Sequence, residues 1–179
     1  MNLQRSRGPS RRFIAAVVGC VLCWVVGRIV VPSVSHAQET APEPEVKAAF
    51  VAKFAGFVKW PAGGGLTNTI GVAGDDAVGG ALGGMAKVKK SKRPEDLKTC
   101  QIVFIPSSER ANLGAILAGL AGTAVLTVSD IDGFAKQGGM IGFVKDGDKV
   151  RFEINNGVAK RAGLAIDVRL LKLAIRTYN

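Results

Sequence analysis

The chain has 179 residues, a formal net charge of +10, 47% hydrophobic residues, three cysteines and a single histidine. Cys20, Cys23 and His36 all fall within the first 37 residues, so the remainder holds no histidine and only one cysteine, Cys100. For residues 38–179 this excludes a histidine-based catalytic triad, the usual His/Cys zinc sites and an intramolecular disulfide.

Residues 1–37 read as a secretory signal. Arg5, Arg7, Arg11 and Arg12 form a basic start without an acid, and the apolar run Phe13–Val31 is broken only by Arg28. Ser35-His36-Ala37 places small side chains at the −3 and −1 positions, so cleavage is expected after Ala37 and the rest is expected outside the cytoplasm. An uncleaved N-terminal membrane anchor is the alternative, since about 20 apolar residues span a bilayer. Val17-Val18-Gly19-Cys20 resembles a lipoprotein box, but the apolar run before it is short. Arg11-Arg12-Phe13 lacks the spacer of a twin-arginine signal. Five of the 24 basic residues and none of the 14 acids lie in the signal, so the remainder carries about +5. Much of the basicity is therefore a targeting device.

Residues 38–44 form a linker with Pro42 and Pro44, and 45–179 a single domain. From Glu45, the residues Val46, Ala49, Phe50, Phe54, Phe57 and Val58 recur at helical spacing, which predicts an amphipathic helix ending before Pro61. Thr69–Ala73 reads as a buried strand. Gly74-Asp75-Asp76 is expected to cap a short helix from Ala77 to Met85. Lys87-Val88-Lys89 reads as an edge strand, where lysines discourage further pairing. Pro94 opens one helical turn. Gln101–Ile105 is a strand, and Ser107 or Ser108 is expected to cap a helix over Glu109–Leu120. Ala124–Val128 is a third strand.

Met140–Val144 and Lys149–Ile154 follow as a hairpin, because Asp146-Gly147 suits the tight turn between them. Val150, Phe152 and Ile154 alternate with Arg151 and Glu153, which puts the latter two on the wet face. Asn155 or Asn156 caps a helix through Arg161, closed by Gly163. Asp167 caps a last helix, whose core face is expected to carry Val168, Leu171 and Ile175. The alternation of strand and helix implies right-handed crossovers. The expected fold class is α/β: one three-layer domain, a mostly parallel sheet flanked by helices, with a C-terminal β-hairpin.

Several polar groups invite a functional reading, each with a plainer one beside it. Gly71-Val-Ala-Gly74-Asp75-Asp76 sits where a phosphate loop would, but lacks the G-x-G-x-x-G spacing and carries two repelling carboxylates. The pairs Asp75/Asp76 and Asp130/Asp132 lie in capping or turn contexts that already account for them. The basic run Lys87–Arg93 lacks interleaved aromatics, so nucleic acid is not an expected partner. Cys100 precedes an apolar strand and reads as a buried, inert thiol. Phe50, Phe54, Phe57 and Trp60 form an aromatic row that serves core packing or docking.

No catalytic residue, metal or cofactor is expected. Arg169, Lys172 and Arg176 fall at i, i+3 and i+7 on the last helix, near Arg151, Glu153, Asn155 and Arg161 in the preceding elements. Their convergence would create an anion- or partner-binding surface. A plain solvated face is the alternative.

The blocks EVKAAFVAKFAGFVKWP, IGVAGDDAVGGAL, CQIVFIPSSER, VLTVSD with GFAKQGGMIGFV, VRFEINNGVAKRAGL and DVRLLKLA resemble, in order and spacing, the YfiR family. Between Leu82 and Pro94 the chain is about ten residues shorter than the family pattern, which leaves the second strand open. The family's cysteine pairs are missing. The resemblance implies a periplasmic regulator that docks on the outer domain of a membrane-bound diguanylate cyclase and lowers cyclic-di-GMP output. It also implies sequestration by a peptidoglycan-associated outer-membrane lipoprotein. A sensor kinase is an alternative receptor, a small-ligand-binding sensor an alternative function, and a homodimer a possible assembly. Arg151, Glu153, Asn155, Arg161, Arg169 and Arg176 are the expected contact residues.

Overall fold

The computed structural model describes residues 41–62 and 67–179, and the secretory-signal reading lies outside the described residues. Helix α1 spans Glu43–Phe54. It starts two residues before Glu45 because Pro44 is pre-set for a first helical turn, while the Pro42 carbonyl accepts from the Glu45 and Val46 amides at 2.9 and 3.1 Å. It also stops sooner than expected: a 3-10 turn, Ala55–Phe57, leads into the short strand β1, Val58–Lys59. Strand β2 is Thr67–Ala73, helix α2 Ala77–Leu82 and strand β3 Val88–Ser91. The shortened segment thus keeps its strand. After a 3-10 turn at Pro94–Leu97 come strand β4, Cys100–Ile105, and a further 3-10 segment, Ser107–Asn112. Helix α3 is Leu113–Leu120, strand β5 Leu126–Ser129, and a 3-10 turn covers Phe134–Gln137.

Strands β6, Ile141–Asp146, and β7, Lys149–Asn155, form the expected hairpin. Asp146 pairs with Lys149, leaving a two-residue loop in which Gly147 takes φ 58°, a conformation glycine adopts without strain. Helix α4 is Asn156–Arg161, strand β8 Ala165–Ile166, helix α5 Val168–Leu173 and strand β9 Arg176–Tyr178.

The main sheet has seven strands in the order β3-β2-β4-β5-β6-β7-β9. Strands β3 through β6 run parallel, β7 is antiparallel to β6, and β9 lies parallel to β7. A second sheet pairs β1 with β8 antiparallel. Alternation along each strand sorts the apolar side chains between two faces. Ile70, Val72, Ile102, Phe104, Leu126, Val128, Ile141, Phe143, Phe152 and Ile154 point to the first face. There they meet Ala48, Val51 and Phe54 of α1, Val78 and Leu82 of α2, and Ala159 and Leu170 of the C-terminal elements. Four phenylalanines bind α1 to the hairpin: Phe54 lies 5.3 Å from Phe152 and 6.1 Å from Phe143, and Phe50 5.8 Å from Phe152, ring centre to ring centre. The aromatic row is therefore core packing at Phe54, with Phe50, Phe57 and Trp60 half-buried around it.

The second face is smaller. Ala73, Val103 and Ile105 pack there with Leu97, Leu113, Ile116, Leu120, Ile131 and Phe134. Phe134 sits over β6: a Cβ on Gly142 would lie 3.3 Å from the Cβ of Phe134. On this side β7 and β9 carry the polar residues Glu153 and Arg176.

The C-terminal element departs most from expectation. Val168 and Ile175 were expected in the core, yet Val168 is 61%, Leu173 59% and Ile175 42% exposed, and Leu170 is the buried residue. The helix ends at Leu173 because the chain straightens to add β9 beside β7. The stripe of Arg169, Lys172 and Arg176 on one helix therefore does not exist.

Candidate partner-binding surface

Of the six residues expected to make contacts, the structure joins two directly. Glu153 aligns with Arg176 in the β7–β9 register, and their side chains share the second face. Arg176 Nη1 donates to Glu153 Oε1 at 3.0 Å, and the Tyr178 hydroxyl donates to Glu153 Oε2 at 3.1 Å. Arg176 Nη1 also lies 3.3 Å from the Tyr178 hydroxyl oxygen. Glu153, expected on a wet face, is buried. Strand β9 and its two donors close over it and replace the water that a carboxylate on an uncovered hairpin would bind. Tyr178 escaped the sequence reading, although the run Ile175-Arg-Thr-Tyr178 carries the β-branched and aromatic residues of a strand.

The Arg176 side chain keeps 56% of its surface exposed against 9% for Glu153. Among the described residues only Nη1 is engaged, which leaves Nε and Nη2, the two donors of one planar edge, without a partner there. That edge matches a carboxylate in two parallel hydrogen bonds. The buried Glu153 fixes the guanidinium's orientation and thereby pre-orders the edge.

Asn155 holds this corner in place. Its Nδ2 donates to the Ala135 carbonyl at 2.8 Å, and its Oδ1 accepts from the Val158 amide at 3.0 Å. It ties β7 to the Phe134–Gln137 turn and caps α4. Arg151 is exposed two residues along the same strand, on the side of the pleat that Glu153 shares. It also borders a groove of about 530 Å³ between the hairpin tip and the start of α1, floored by Val46, Phe50 and Val150.

The other two residues lie elsewhere. Arg161 ends α4 and lines a cleft of about 200 Å³ with Leu117, Leu120 and Met140, in which none of the other five takes part. Arg169 folds back on Asp167, donating from Nη2 at 2.8 Å and from Nε at 3.1 Å, and its guanidinium stands 5.6 Å above the centre of the Phe57 ring. The Arg169 side chain and then its backbone amide hold the Asp167 carboxyl down at about 2. This is local capping of α5, as expected for Asp167.

Internal contacts occupy the carboxyl ends of the parallel strands. Lys47 of α1 bonds Glu43 and Asp130, both at 2.9 Å, with the side chains of Lys47 and Asp130 14% and 12% exposed. Burial disfavours the Lys47 charge, but the two carboxylates more than reverse this and hold its ammonium above the ordinary value. Asp130 Oδ1 also accepts the Ser107 amide at 2.7 Å. Ser107 and Ser108 do not cap a helix through their side chains, because Ser107–Asn112 is a 3-10 segment anchored by that carboxylate. Asp75 and Asp76 likewise make no side-chain cap; Asp75 pairs instead with Lys90 of the neighbouring strand. Among the described residues no group of three or more His, Cys, Asp or Glu could hold a metal ion. No helix among them is long and apolar enough to cross a membrane.

The fold is an α/β domain with a mostly parallel sheet flanked by helices and an added C-terminal strand. The YfiR/HmsC-like family model matches residues 44–175, and the chain belongs to that family. Membership supports the coarse reading of a periplasmic regulator with a membrane partner. Among solved structures the fold is similar to a conserved domain protein from Vibrio cholerae, at 10% identity and TM-score 0.59. It is also similar to an ABC domain from Streptococcus pneumonia solved in complex with L-Trp, at 11% identity and TM-score 0.55. Each match covers 75% of this chain and 60% of the other, so the chain spans under two thirds of those structures, and the likeness shows the fold alone. No curated protein matches the chain.

Proposed function

We propose that the chain is a periplasmic repressor that docks on the extracytoplasmic domain of a membrane-bound diguanylate cyclase and holds the cyclase in its inactive state. The observation that carries the reading is the mostly exposed Arg176 side chain, held through Nη1 by a buried Glu153, whose remaining donors suit a partner's carboxylate. Family membership supports the regulatory role. Arg151 adds a second exposed cation on the same strand, and Asn155 keeps the strand in register.

Repression follows from unequal affinity. A bound protein shifts its receptor only by preferring one state, and a rigid, directional contact such as a two-bond arginine fork discriminates states that differ by small displacements of an acid. Sequestration of the chain by a peptidoglycan-associated outer-membrane lipoprotein would release the cyclase, by competing for the free chain.

The test is deletion of the gene, measurement of cellular cyclic-di-GMP, and complementation. Deletion is expected to raise the nucleotide, the native gene to restore it, and Arg176→Glu to fail while the protein remains present and folded. An unchanged level on deletion rejects the cyclase as receptor. Loss of a sensor-kinase response in the same strain would transfer the surface to that class of receptor.

A further inference from the structure

Strand β7 is longer than the strand that covers its outer edge. Asp146 and Lys149 close the tight turn as a hydrogen-bonded pair, so Lys149, Arg151 and Glu153 bond β6. By alternation, Val150, Phe152 and Ile154 turn their backbone groups to the opposite edge. Two bonds agree with this: the Asn155 amide donates to the Met140 carbonyl beside β6 at 2.7 Å, and the Phe152 carbonyl accepts the Ile175 amide on the other side at 3.0 Å. Strand β9 pairs only with Glu153, Ile154 and Asn155. The Val150 amide and carbonyl therefore lie on the edge beyond β9, with no backbone partner there among the described residues.

Two surfaces flank this open stretch. On the face that α1 covers lies the groove of about 530 Å³, floored by Val46, Phe50 and Val150. Lys149 and Arg151 border it too, but they alternate with Val150 and so head for the opposite face of the pleat. Both are exposed and without an ion pair among the described residues.

From these features we infer that β7 accepts an extended segment of a partner protein, of alternating apolar and acidic residues, added antiparallel at Val150. The residue opposite Val150 exchanges two backbone hydrogen bonds with it and drops an apolar side chain into the groove. Its two neighbours turn to the other face, where their carboxylates meet Lys149 and Arg151.

Charge selects this occupant. Cations beside an open edge discourage an unselected strand, and a second copy offering its own β7 would set Lys149 and Arg151 against the same residues. An acid-bearing strand turns that repulsion into attraction. Of the other charged residues around the groove, Lys145 and Glu43 pair with each other at 3.6 Å, which leaves Asp148 as the one acid set against the two free cations. The site does not rest on the identity of the receptor: a peptide alone reads it, whereas cellular cyclic-di-GMP decides the cyclase.

The test uses protein expressed from the full-length gene and purified from the cell envelope. The probe is a fluorescent octapeptide of alternating valine and glutamate, followed by anisotropy and by amide hydrogen exchange in NMR. Saturable binding is expected, with exchange at the Val150 amide slowed at least about tenfold at saturation. Arg151→Glu is expected to weaken binding at least about tenfold. Val150→Pro deletes the outward amide, leaves the bonds to β6 in place, and is expected to weaken binding as much while the circular dichroism stays native. If the proline variant does not fold, Arg151→Glu and the exchange measurement decide the case. The matching valine–lysine peptide is expected not to bind. Absence of binding by the valine–glutamate peptide up to about 1 mM overturns the inference. So does equal binding of the two peptides, or binding that leaves exchange at Val150 unchanged. Saturation of the groove by hexanoate, with no binding of the peptide, would make it a small-carboxylate pocket and overturn the inference as well.

Discussion

Arg176 and Glu153 meet across a parallel strand pair at 3.0 Å, one side chain mostly exposed and the other almost wholly enclosed. Under the proposed docking, this asymmetry makes Glu153 the positioning residue and Arg176 the contact residue. Arg176→Lys keeps the positive charge but lacks the planar two-donor edge. It is expected to weaken receptor binding about tenfold while leaving the thermal midpoint within a few degrees of native. Glu153→Gln is expected to weaken binding too, by loosening the guanidinium. Titration calorimetry against the receptor's outer domain, paired with thermal melts, reads both effects. Equal binding by the arginine and lysine forms would count against a two-bond contact.

Lys47 joins α1 to the end of β5 through Asp130, with both side chains nearly nine-tenths enclosed. Lys47→Met removes the cation and leaves the Asp130 carboxylate with the Ser107 amide as its remaining partner. The expected cost is about 2–3 kcal/mol, measurable by urea denaturation. The ammonium is held above its ordinary value of 10.5, so its contribution is complete below that pH and fades as pH rises through the folded value. The native protein should therefore lose stability at strongly alkaline pH faster than Lys47→Met does.

Asp167 titrates at about 2, below its ordinary 3.8, because the Arg169 side chain and then the Arg169 amide stabilise the carboxylate. A depressed folded value stabilises the fold at and above pH about 4, and the contribution disappears as pH falls toward 2. Carbon-detected NMR of the Asp167 carboxyl should show this midpoint, and Arg169→Ala should raise it toward the ordinary value. A midpoint already near 3.8 in the native protein would contradict the observed pairing.

Gly139 precedes β6 beneath the buried ring of Phe134. A Cβ at this position would lie 2.1–2.3 Å from three carbons of that ring, closer than any real contact. Gly139→Ala is therefore expected to displace Phe134 and cost about 1–3 kcal/mol. Gly80→Ala, with open space around the added carbon, serves as the control and should change stability little.

Local patterns foretold the parallel strands and the hairpin, because QIVFI and AVLTV are short apolar runs and Asp146-Gly147 demands a tight turn. The helix starts were less legible. Asp76 and Ser107 are good capping residues by type, but their neighbours gave the chain other partners: a carboxylate across the sheet holds Ser107, and Lys90 holds Asp75. The candidate residues near the C-terminus were half legible. Arg176 and Glu153 were both singled out, yet on separate elements. Leu170-Leu-Lys-Leu-Ala-Ile175 fits a helical period as readily as an extended one, and only the free side of β7 decides between them. The β-branched and aromatic residues of Ile175–Tyr178 permit a strand, but which strand it joins is not written in a sequence window.

The rings of Phe50 and Phe54 rest on Phe152, about a hundred positions further along the chain. The first helix therefore cannot settle until the hairpin has been synthesised, and this high contact order slows folding. While the intervening strands are still being made, α1 lacks the rings it packs on, so its burial is a late event of folding.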